Sequence, residues 1–288
     1  MERKPNWAAQ TFLILHPAAV GCLLGALILD PGGETRVFVI ACVTVALIFA
    51  VVGAMVPVLA IKKPLRSYRF LAGVGHSPLS RQAALVGLFT LLLLVYWVLV
   101  LAEVSALWLG IVTVAAGAAA VLAAGLVYLL GSQPGWRHWS TPLLLFGDLL
   151  ALGVSTGLVV ALGWRDVLLA GSTGAVAAQI LVLVGVVVLE TGIWGRIGRV
   201  AGREPRTQDS ALAQGGRGWT PLASAVLVAV AGAAVAASFA WEWAIIVCFT
   251  CLLAALLVHW RAFFVSAAPH SWRAEVNWYA HTPVAGKE

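Results

Sequence analysis

Long apolar runs separated by short polar stretches make up most of this chain. A helical run of roughly 20 apolar residues is long enough to cross a hydrocarbon core about 30 Å thick. The pattern therefore predicts an all-α, polytopic membrane protein with about eight transmembrane helices. It lacks the period-two alternation of the strands in a membrane β-barrel. The predicted spans cover residues 11–29, 37–61, 83–104, 107–131, 142–163, 167–193, 220–240 and 243–262.

The composition supports this fold class. Of the 288 residues, 61% are hydrophobic and 10% are charged, whereas a soluble domain carries about 25% charged residues. A soluble enzyme, a disulfide-stapled secreted module and a disordered chain are thereby excluded. Cys248 and Cys251 have the spacing of a metal-binding pair, but no second pair completes a ligand set, so packing is predicted. Tryptophans gather near the span ends, Trp260 among them, which is typical of an aromatic belt at the membrane interfaces.

The basic residues are distributed unequally between the two sides of the membrane. With eight spans, both termini share one side with the connections that follow the second, fourth and sixth spans. Sixteen of the 18 Lys and Arg residues fall there, and only Arg36 and Arg165 fall opposite. The positive-inside rule assigns the basic side to the cytoplasm. The sequence thus predicts a multi-pass protein of the inner (cytoplasmic) membrane with cytoplasmic termini, in contact with the lipid bilayer and with no nucleic acid.

The connections between spans indicate the domain organisation. Very short joints at Glu103–Ser105 and Trp241–Trp243 predict two antiparallel hairpins. Two basic loops, 62–82 and 194–219, each lie between the second and third helix of a four-helix half. We therefore predict two four-helix bundles, an N-terminal one over residues 1–131 and a C-terminal one over 132–262, followed by a cytoplasmic tail over 263–288.

The few ionisable residues inside the spans are candidates for function, because such groups are costly in hydrocarbon. His16, Asp148, Glu190 and His259 lie toward the predicted cytoplasmic side, whereas Glu103 stands alone at the outer end of its span. This one-sided distribution suits a site where a lipid-soluble carrier such as a quinone meets a cytoplasmic electron donor. Reduction of a quinone needs proton donors near its carbonyl oxygens, and imidazole or carboxyl groups can serve.

Other interpretations of these residues stay open. Glu190 and His259 are near enough to span ends to reach water, and His16 and Asp148 could make structural hydrogen bonds. His16 and His259 could ligate a b-type haem from two helices, but nothing fixes their ring spacing, so no haem is favoured. A small-molecule transporter is the alternative function. It would need a polar path through the full depth of the bilayer, and the outer halves of the spans are nearly bare of charge.

Three segments resemble the dimethyl sulfoxide reductase membrane-anchor family. The first segment is loop 62–82. It is similar to a family signature in which Pro-x-Arg-Ala-Tyr/Trp-Arg-Ala is followed by Ser-x-Leu-Ser-Arg-Glu. Two further segments, Trp139–Pro142 and Trp260–His270, are similar to the entry of its fifth span and to its closing motif. The matching positions of the first motif are Pro64, Arg66, Tyr68, Arg69, Ser77, Leu79, Ser80 and Arg81.

The resemblance implies a role and a set of partners. Family members anchor a molybdopterin catalytic subunit and a four-cluster, ferredoxin-like iron–sulfur subunit. They pass electrons between the nearest cluster and ubiquinone or menaquinone, generally without haem. The chain would then be the quinone-reactive, electron-transfer subunit of an oxidoreductase complex and not catalytic alone, with its docking face in the cytoplasm. The start of the first span, His16-Pro17-Ala18, is similar to the sulfite-oxidising branch.

The resemblance also implies which residues form the site. The chain departs from the family at Ala60, where a histidine is common, and at Gln82, where a glutamate is usual. No catalytic residue and no metal site are expected in the chain itself. The candidates are quinone-binding His16, Arg66, Tyr68, His76, Arg81 and Gln82; partner-docking Lys62, Lys63 and Arg69; and a proton relay of Asp148 and Glu190.

Overall fold

Eight helices make up the part of the chain that the structure describes. The structure, a computed structural model, describes residues 7–60, 77–104, 106–130, 138–164, 166–167, 172–201, 219–238 and 242–265. Each helix is long and apolar enough to cross a membrane, which confirms the predicted all-α fold and the number of spans. The helices are α1 (Trp7–Leu29), α2 (Arg36–Leu59), α3 (Pro78–Leu101), α4 (Leu107–Leu130), α5 (Ser140–Ala161), α6 (Ser172–Ala201), α7 (Trp219–Ser238) and α8 (Ala244–Val265).

Several helix ends differ from the sequence-based expectation. Helix α1 begins at Trp7, so His16 lies nine positions into it, about 14 Å along the axis at 1.5 Å per residue. It is therefore deeper than the five residues predicted. Helix α6 continues to Ala201, so the first part of the predicted loop 194–219 is helical and Glu190 lies well inside the helix rather than near its end. Both helices are longer than the predicted spans because a helix can continue beyond the hydrocarbon core of the membrane.

Helices α1 and α5 form the interior of the molecule. In each of them 72% of the span is buried, compared with 22% in α3. Helix α1 contacts α2, α4 and α5, and also reaches α6 and α8. A helix that is apolar on every side can be surrounded in this way, whereas the outer helices turn their exposed leucines and valines toward lipid.

Glycines let the backbones of α1 and α5 touch. A Cβ atom at Gly153 would lie 2.5 Å from Gly21 Cα, and one at Gly157 would lie 3.4 Å from Gly25 Cα. Small residues at helix contacts are typical of membrane proteins, because close backbone approach replaces the missing hydrophobic driving force. The two contacts run in the same order along both helices, so α1 and α5 are parallel. Both begin at one membrane face, which we call the N-terminal face.

The remaining contacts follow the chain order. Helix α1 contacts α2 and α4, and α3 contacts both; α5 contacts α6 and α8, and α7 contacts both. The division into bundles at residues 1–131 and 132–262 stays a prediction. Of the predicted tail over 263–288, the first residues continue α8 as far as Val265, and the others lie outside the described residues.

At the opposite face, an ion pair ties α2 to the turn after α3. The guanidinium of Arg36 pairs with the carboxylate of Glu103 and also donates to the carbonyl oxygens of Val100, at 3.2 Å, and Leu101. The expectation that Glu103 stands alone is therefore wrong. The sequence could not show the pair because its members are 67 positions apart. Glu103 has a φ of 64°, a left-handed conformation that ends α3 and is uncommon for a residue with a side chain.

Candidate functional site

An apolar cleft of about 840 Å³ opens at the N-terminal face between the ends of the first four helices. This volume lies within the range of about 300–1,000 Å³ that is usual for sites of small organic ligands. Along α3 the lining runs from Leu79 to Leu94, which is about 22 Å of helix at 1.5 Å per residue. The lining includes Ala9 and Phe12 of α1, Pro57 of α2, Leu79, Gln82, Gly87, Thr90 and Leu94 of α3, and Tyr128 of α4.

Local sequence explains where α3 begins and why the cleft has room. Pro78 occupies the first turn of α3 after Ser77, a position where proline loses no helical hydrogen bond. Four positions later, Gln82 is buried and lines the cleft. At Gly87 a Cβ atom would meet no other atom within 4 Å. The absence of a side chain there leaves the middle of the cleft open.

His16 lies one aromatic ring away from this cleft. It is 1% exposed, and neither ring nitrogen has a hydrogen-bond partner among the described residues. Its imidazole stacks on the ring of Phe12, with centroids 5.3 Å apart, and meets Phe89 edge-on at 5.2 Å. Buried polar atoms are nearly always hydrogen-bonded in folded proteins. A buried imidazole without a partner, behind a ring that lines a cleft, is therefore a candidate for binding a ligand.

The other predicted quinone-binding and docking residues fall in two groups. Arg81 is exposed in the first turn of α3, next to Gln82, and it does not line the cleft. Thus the structure brings His16 and Gln82 to one cleft and leaves Arg81 beside it. The remaining candidates lie outside the described residues: Arg66, Tyr68 and His76 for quinone, and Lys62, Lys63 and Arg69 for docking.

The two residues of the predicted proton relay lie on neighbouring helices. Asp148 in α5 is completely buried, and its Oδ2 accepts a hydrogen bond from Nε1 of Trp260 at 3.0 Å. Glu190 in α6 is half-buried and follows Leu189, which packs against Gly147. The hydrogen-bond partner of Asp148 is thus in α8 and not in α6.

Trp260 does not belong to the aromatic belt, contrary to the sequence-based expectation. It is 0% exposed, whereas Trp108 and Trp243 are at least 60% exposed. A tryptophan near a span end suits the interface and the core equally well, and only the packing of α8 against α5 decides between them. Its partner Asp148 is the polar group that the indole N–H needs when buried.

Sequence reasoning missed the aromatic residues that connect the cleft with Trp260. The ring of Tyr128, which lines the cleft, meets Phe263 at 5.7 Å, and Phe263 meets Trp260 at 5.0 Å. The guanidinium of Arg196 lies 4.1 Å over the Phe263 ring and donates to Thr141 Oγ1 at 3.3 Å. The sequence does show that the apolar run of α4 ends near a tyrosine, Tyr128, on the basic side of the membrane. Hydropathy alone does not show which helix faces that tyrosine.

The cleft suits an apolar ligand with a polar head group. Its lining is mostly apolar, and Gln82 and Tyr128 place polar groups near the membrane face. The unpartnered His16 adds a group that can exchange a proton. Among the described residues there is no group of three or more His, Cys, Asp and Glu side chains arranged to hold a metal ion.

Comparison with known families agrees with the motifs of the N-terminal half and the closing segment. No match to a curated protein was found. The family model described as DMSO reductase anchor subunit (DmsC) matches residues 1–272, which is nearly the whole chain and includes every candidate residue. Its members are membrane anchors for the catalytic and iron–sulfur subunits of DMSO reductase-type complexes. The protein therefore belongs to the DMSO reductase anchor subunit family.

Proposed function

We propose that this anchor subunit passes electrons between an iron–sulfur subunit and a membrane quinone, and that the quinone ring binds in the cleft at the N-terminal face. The observation that carries the proposal is the cleft of about 840 Å³ with a buried, unpartnered His16 behind its wall. A lipid-soluble ligand can enter such a cleft directly from the bilayer, since α3 is the least buried of the eight spans.

Each residue at the cleft has a task in this proposal. The amide of Gln82 donates a hydrogen bond to one quinone carbonyl oxygen, and His16 serves the other once the Phe12 side chain changes rotamer. Reduction of a quinone to a quinol adds a proton to each of these oxygens, and oxidation of the quinol removes them. An imidazole is suited to both directions because one of its ring nitrogens can donate a proton and the other can accept one. Exposed Leu91 and Leu94 border the part of the cleft that holds the prenyl chain.

The partner subunits belong at the same face. The charge asymmetry favours a cytoplasmic location for the N-terminal face, and hence an inner-membrane protein with cytoplasmic termini. A four-cluster iron–sulfur subunit would dock there on Lys62, Lys63 and Arg69, with a molybdopterin subunit beyond it. Arg66, Tyr68 and His76 would complete the quinone site. The predicted cytoplasmic location and the His16-Pro17-Ala18 start favour a sulfite-oxidising complex that feeds ubiquinone or menaquinone.

The transporter alternative has no specific observation in its favour among the described residues. At the opposite face the structure has a hollow of about 150 Å³ bordered by Asp30, Arg36 and Glu103. There Asp30 accepts hydrogen bonds from the backbone N–H groups of Glu34 and Thr35 at 2.9 and 2.7 Å. These polar groups hold the connection between α1 and α2 and need no transported solute.

Gly87→Phe tests the cleft directly. Gly87 lines the cleft, and a Cβ atom at this position has no atom within 4 Å, so the added phenyl ring takes up space in the cleft. Leu88→Phe is the matched control, because Leu88 is 46% exposed and does not line the cleft. Two measurements apply: quenching of tryptophan fluorescence by added quinone in the purified chain, and quinone-dependent turnover of the complex purified from its own membranes.

We expect Gly87→Phe to weaken quinone binding and quinone-dependent turnover about tenfold or more, a loss that corresponds to roughly 1.4 kcal/mol. Turnover with a water-soluble dye, which takes electrons from the partner subunits, stays unchanged. Leu88→Phe leaves all three quantities as they are. If Gly87→Phe binds quinone as tightly as the unmodified chain does, the ring does not occupy this cleft and the proposed site is wrong.

A further inference from the structure

Asp148 is a buried carboxyl group that does not line the cleft. It is 0% exposed, in the first half of α5, and faces α8 rather than the cleft. Its Oδ2 accepts the hydrogen bond from Trp260, and its Oδ1 has no hydrogen-bond partner among the described residues. A carboxylate normally accepts several hydrogen bonds or pairs with a cation when it is buried. One donor from an uncharged indole is little compensation for a full negative charge.

The groups around Asp148 do not supply the missing compensation. On α8, His259 precedes Trp260 in sequence and contacts its ring; it is 7% exposed, and its Nε2 also lacks a partner among the described residues. On α6, Glu190 carries the same sign of charge, and the guanidinium of Arg196 is held at Thr141 and over the Phe263 ring. On α1, the imidazole of His16 lies between two phenylalanine rings. The ion pair found within the described ranges joins Arg36 and Glu103 at the opposite face.

The backbone changes its winding immediately after Asp148. Residues Leu149–Gly153 form a turn of π-helix inside α5, and Gly153 at its end touches Gly21 of α1. Such π-turns are rare and occur frequently at functional sites, since the extra residue costs regular hydrogen bonding. Here the π-turn separates the residue that faces α8 from the glycine that packs against α1. The unusual backbone and the unpartnered carboxyl oxygen thus occur at the same place.

We propose that Asp148 is a proton-holding site, a neutral carboxylic acid that carries its proton on Oδ1 and releases and regains it as quinone turns over nearby. The step is a simple acid dissociation: the Oδ1–H bond breaks, the electron pair stays on the carboxylate, and the proton passes to water. The contacts Tyr128–Phe263–Trp260 connect the cleft to this carboxyl. The exchange half of the proposal rests on the proposed quinone function, whereas the neutral acid does not.

Infrared spectroscopy of the purified full-length chain tests the neutral acid. A protonated carboxyl has a carbonyl stretch that is separate from those of carboxylates and amides and shifts in heavy water. We expect this band at neutral pH in the unmodified chain and in Asp30→Asn, and its loss in Asp148→Asn. Asp30 is the matched control, because it is also buried but has both oxygens bonded to backbone N–H groups. Absence of the band, or its survival in Asp148→Asn, would overturn the proposal.

Two conservative variants keep the proposal testable if Asp148→Asn fails to fold. Asp148→Glu keeps the acid, so the band shifts in frequency rather than vanishing. Trp260→Phe removes the hydrogen bond to Oδ2, so the carbonyl stretch moves to higher frequency. If both variants fold and neither moves the band, the band does not come from the carboxyl at position 148 and the assignment is wrong.

A second measurement tests the exchange. Quinol added to the purified complex changes the intensity of the Asp148 band in the unmodified protein, and Gly87→Phe abolishes the change while keeping the band. A band that stays constant during turnover would make Asp148 a structural acid and overturn the exchange. Failure of the chain to bind quinone at all, seen by fluorescence quenching, would instead refute the proposed function and leave the neutral acid standing.

Discussion

Replacing Gly153 by alanine tests the backbone contact between α1 and α5, on which the packing of the interior depends. The new Cβ atom would lie 2.5 Å from Gly21 Cα and 3.0 Å from the backbone C and N atoms of the same residue. Carbon atoms in favourable contact are about 3.5–4.0 Å apart, so the two helices must separate by roughly 1 Å. Overpacking of this kind costs about 1–3 kcal/mol, and the partners here are backbone atoms that cannot turn away.

Gly87→Ala is the matched control for this prediction. Both substitutions replace glycine within a span, which favours a helix by about 1 kcal/mol, but at Gly87 the added methyl group meets nothing within 4 Å. The difference in free energy of unfolding between the two variants therefore isolates the steric cost. We expect Gly153→Ala to be the less stable by about 1–3 kcal/mol.

Equilibrium unfolding in mixed detergent micelles, followed by circular dichroism and tryptophan fluorescence, measures this difference. Adding Gly21→Ala to Gly153→Ala should cost less than the sum of the single changes, because the first methyl group already separates the helices. If Gly153→Ala and Gly87→Ala differ by less than about 0.5 kcal/mol, which is within the usual effect of a surface change, then α1 and α5 do not touch through their backbones.

Two further predictions concern polar contacts between helices, and the same unfolding assay measures both. Arg36→Ala should lower the free energy of unfolding by about 1.5–3 kcal/mol, because hydrogen bonds from a charged group to carbonyl oxygens are lost. Glu103→Gln should lower it by about 1 kcal/mol or less, since the ion pair is exposed. Equal losses for the two variants would contradict this ranking. Thr44→Val removes the hydroxyl that accepts a hydrogen bond from Trp97 Nε1 at 2.9 Å, and it should cost about 0.6–2 kcal/mol. The control is Thr250→Val, at an exposed hydroxyl bonded only within its own helix. It should change stability by less than about 0.5 kcal/mol. A Thr44→Val variant no weaker than Thr250→Val would show that the Trp97 bond contributes nothing.

The sequence predicted the number of helices and the two pairs joined by very short connections, since α3 contacts α4 and α7 contacts α8. It could not predict the other neighbours. Hydropathy reports that a segment is long and apolar enough to leave water. In lipid, however, the buried and the exposed sides of a helix are both apolar, so the periodicity that identifies the inner face of a soluble helix is missing. The close approach of Gly21 to Gly153 and the central position of α1 therefore follow from packing. The sequence shows only that small residues are available.

The candidate site could be predicted in part. The motif identified Gln82, and the rarity of ionisable groups in the spans identified His16 and Asp148, because each is a costly exception that a pattern can detect. Phe12 and Tyr128 were missed since an aromatic residue in an apolar run is no exception. Which helix faces such a residue depends on contacts between segments more than a hundred positions apart, as Tyr128 and Phe263 show.

The ion pair of Arg36 with Glu103 has a consequence for the way α2 and α3 frame the cleft. It fastens α2 to the end of α3 on one side of the membrane, whereas the same two helices border an open cleft on the other. A ligand in the cleft therefore contacts α2 and α3 at the ends remote from Arg36 and Glu103, and these polar contacts stay in place whether or not the cleft is filled.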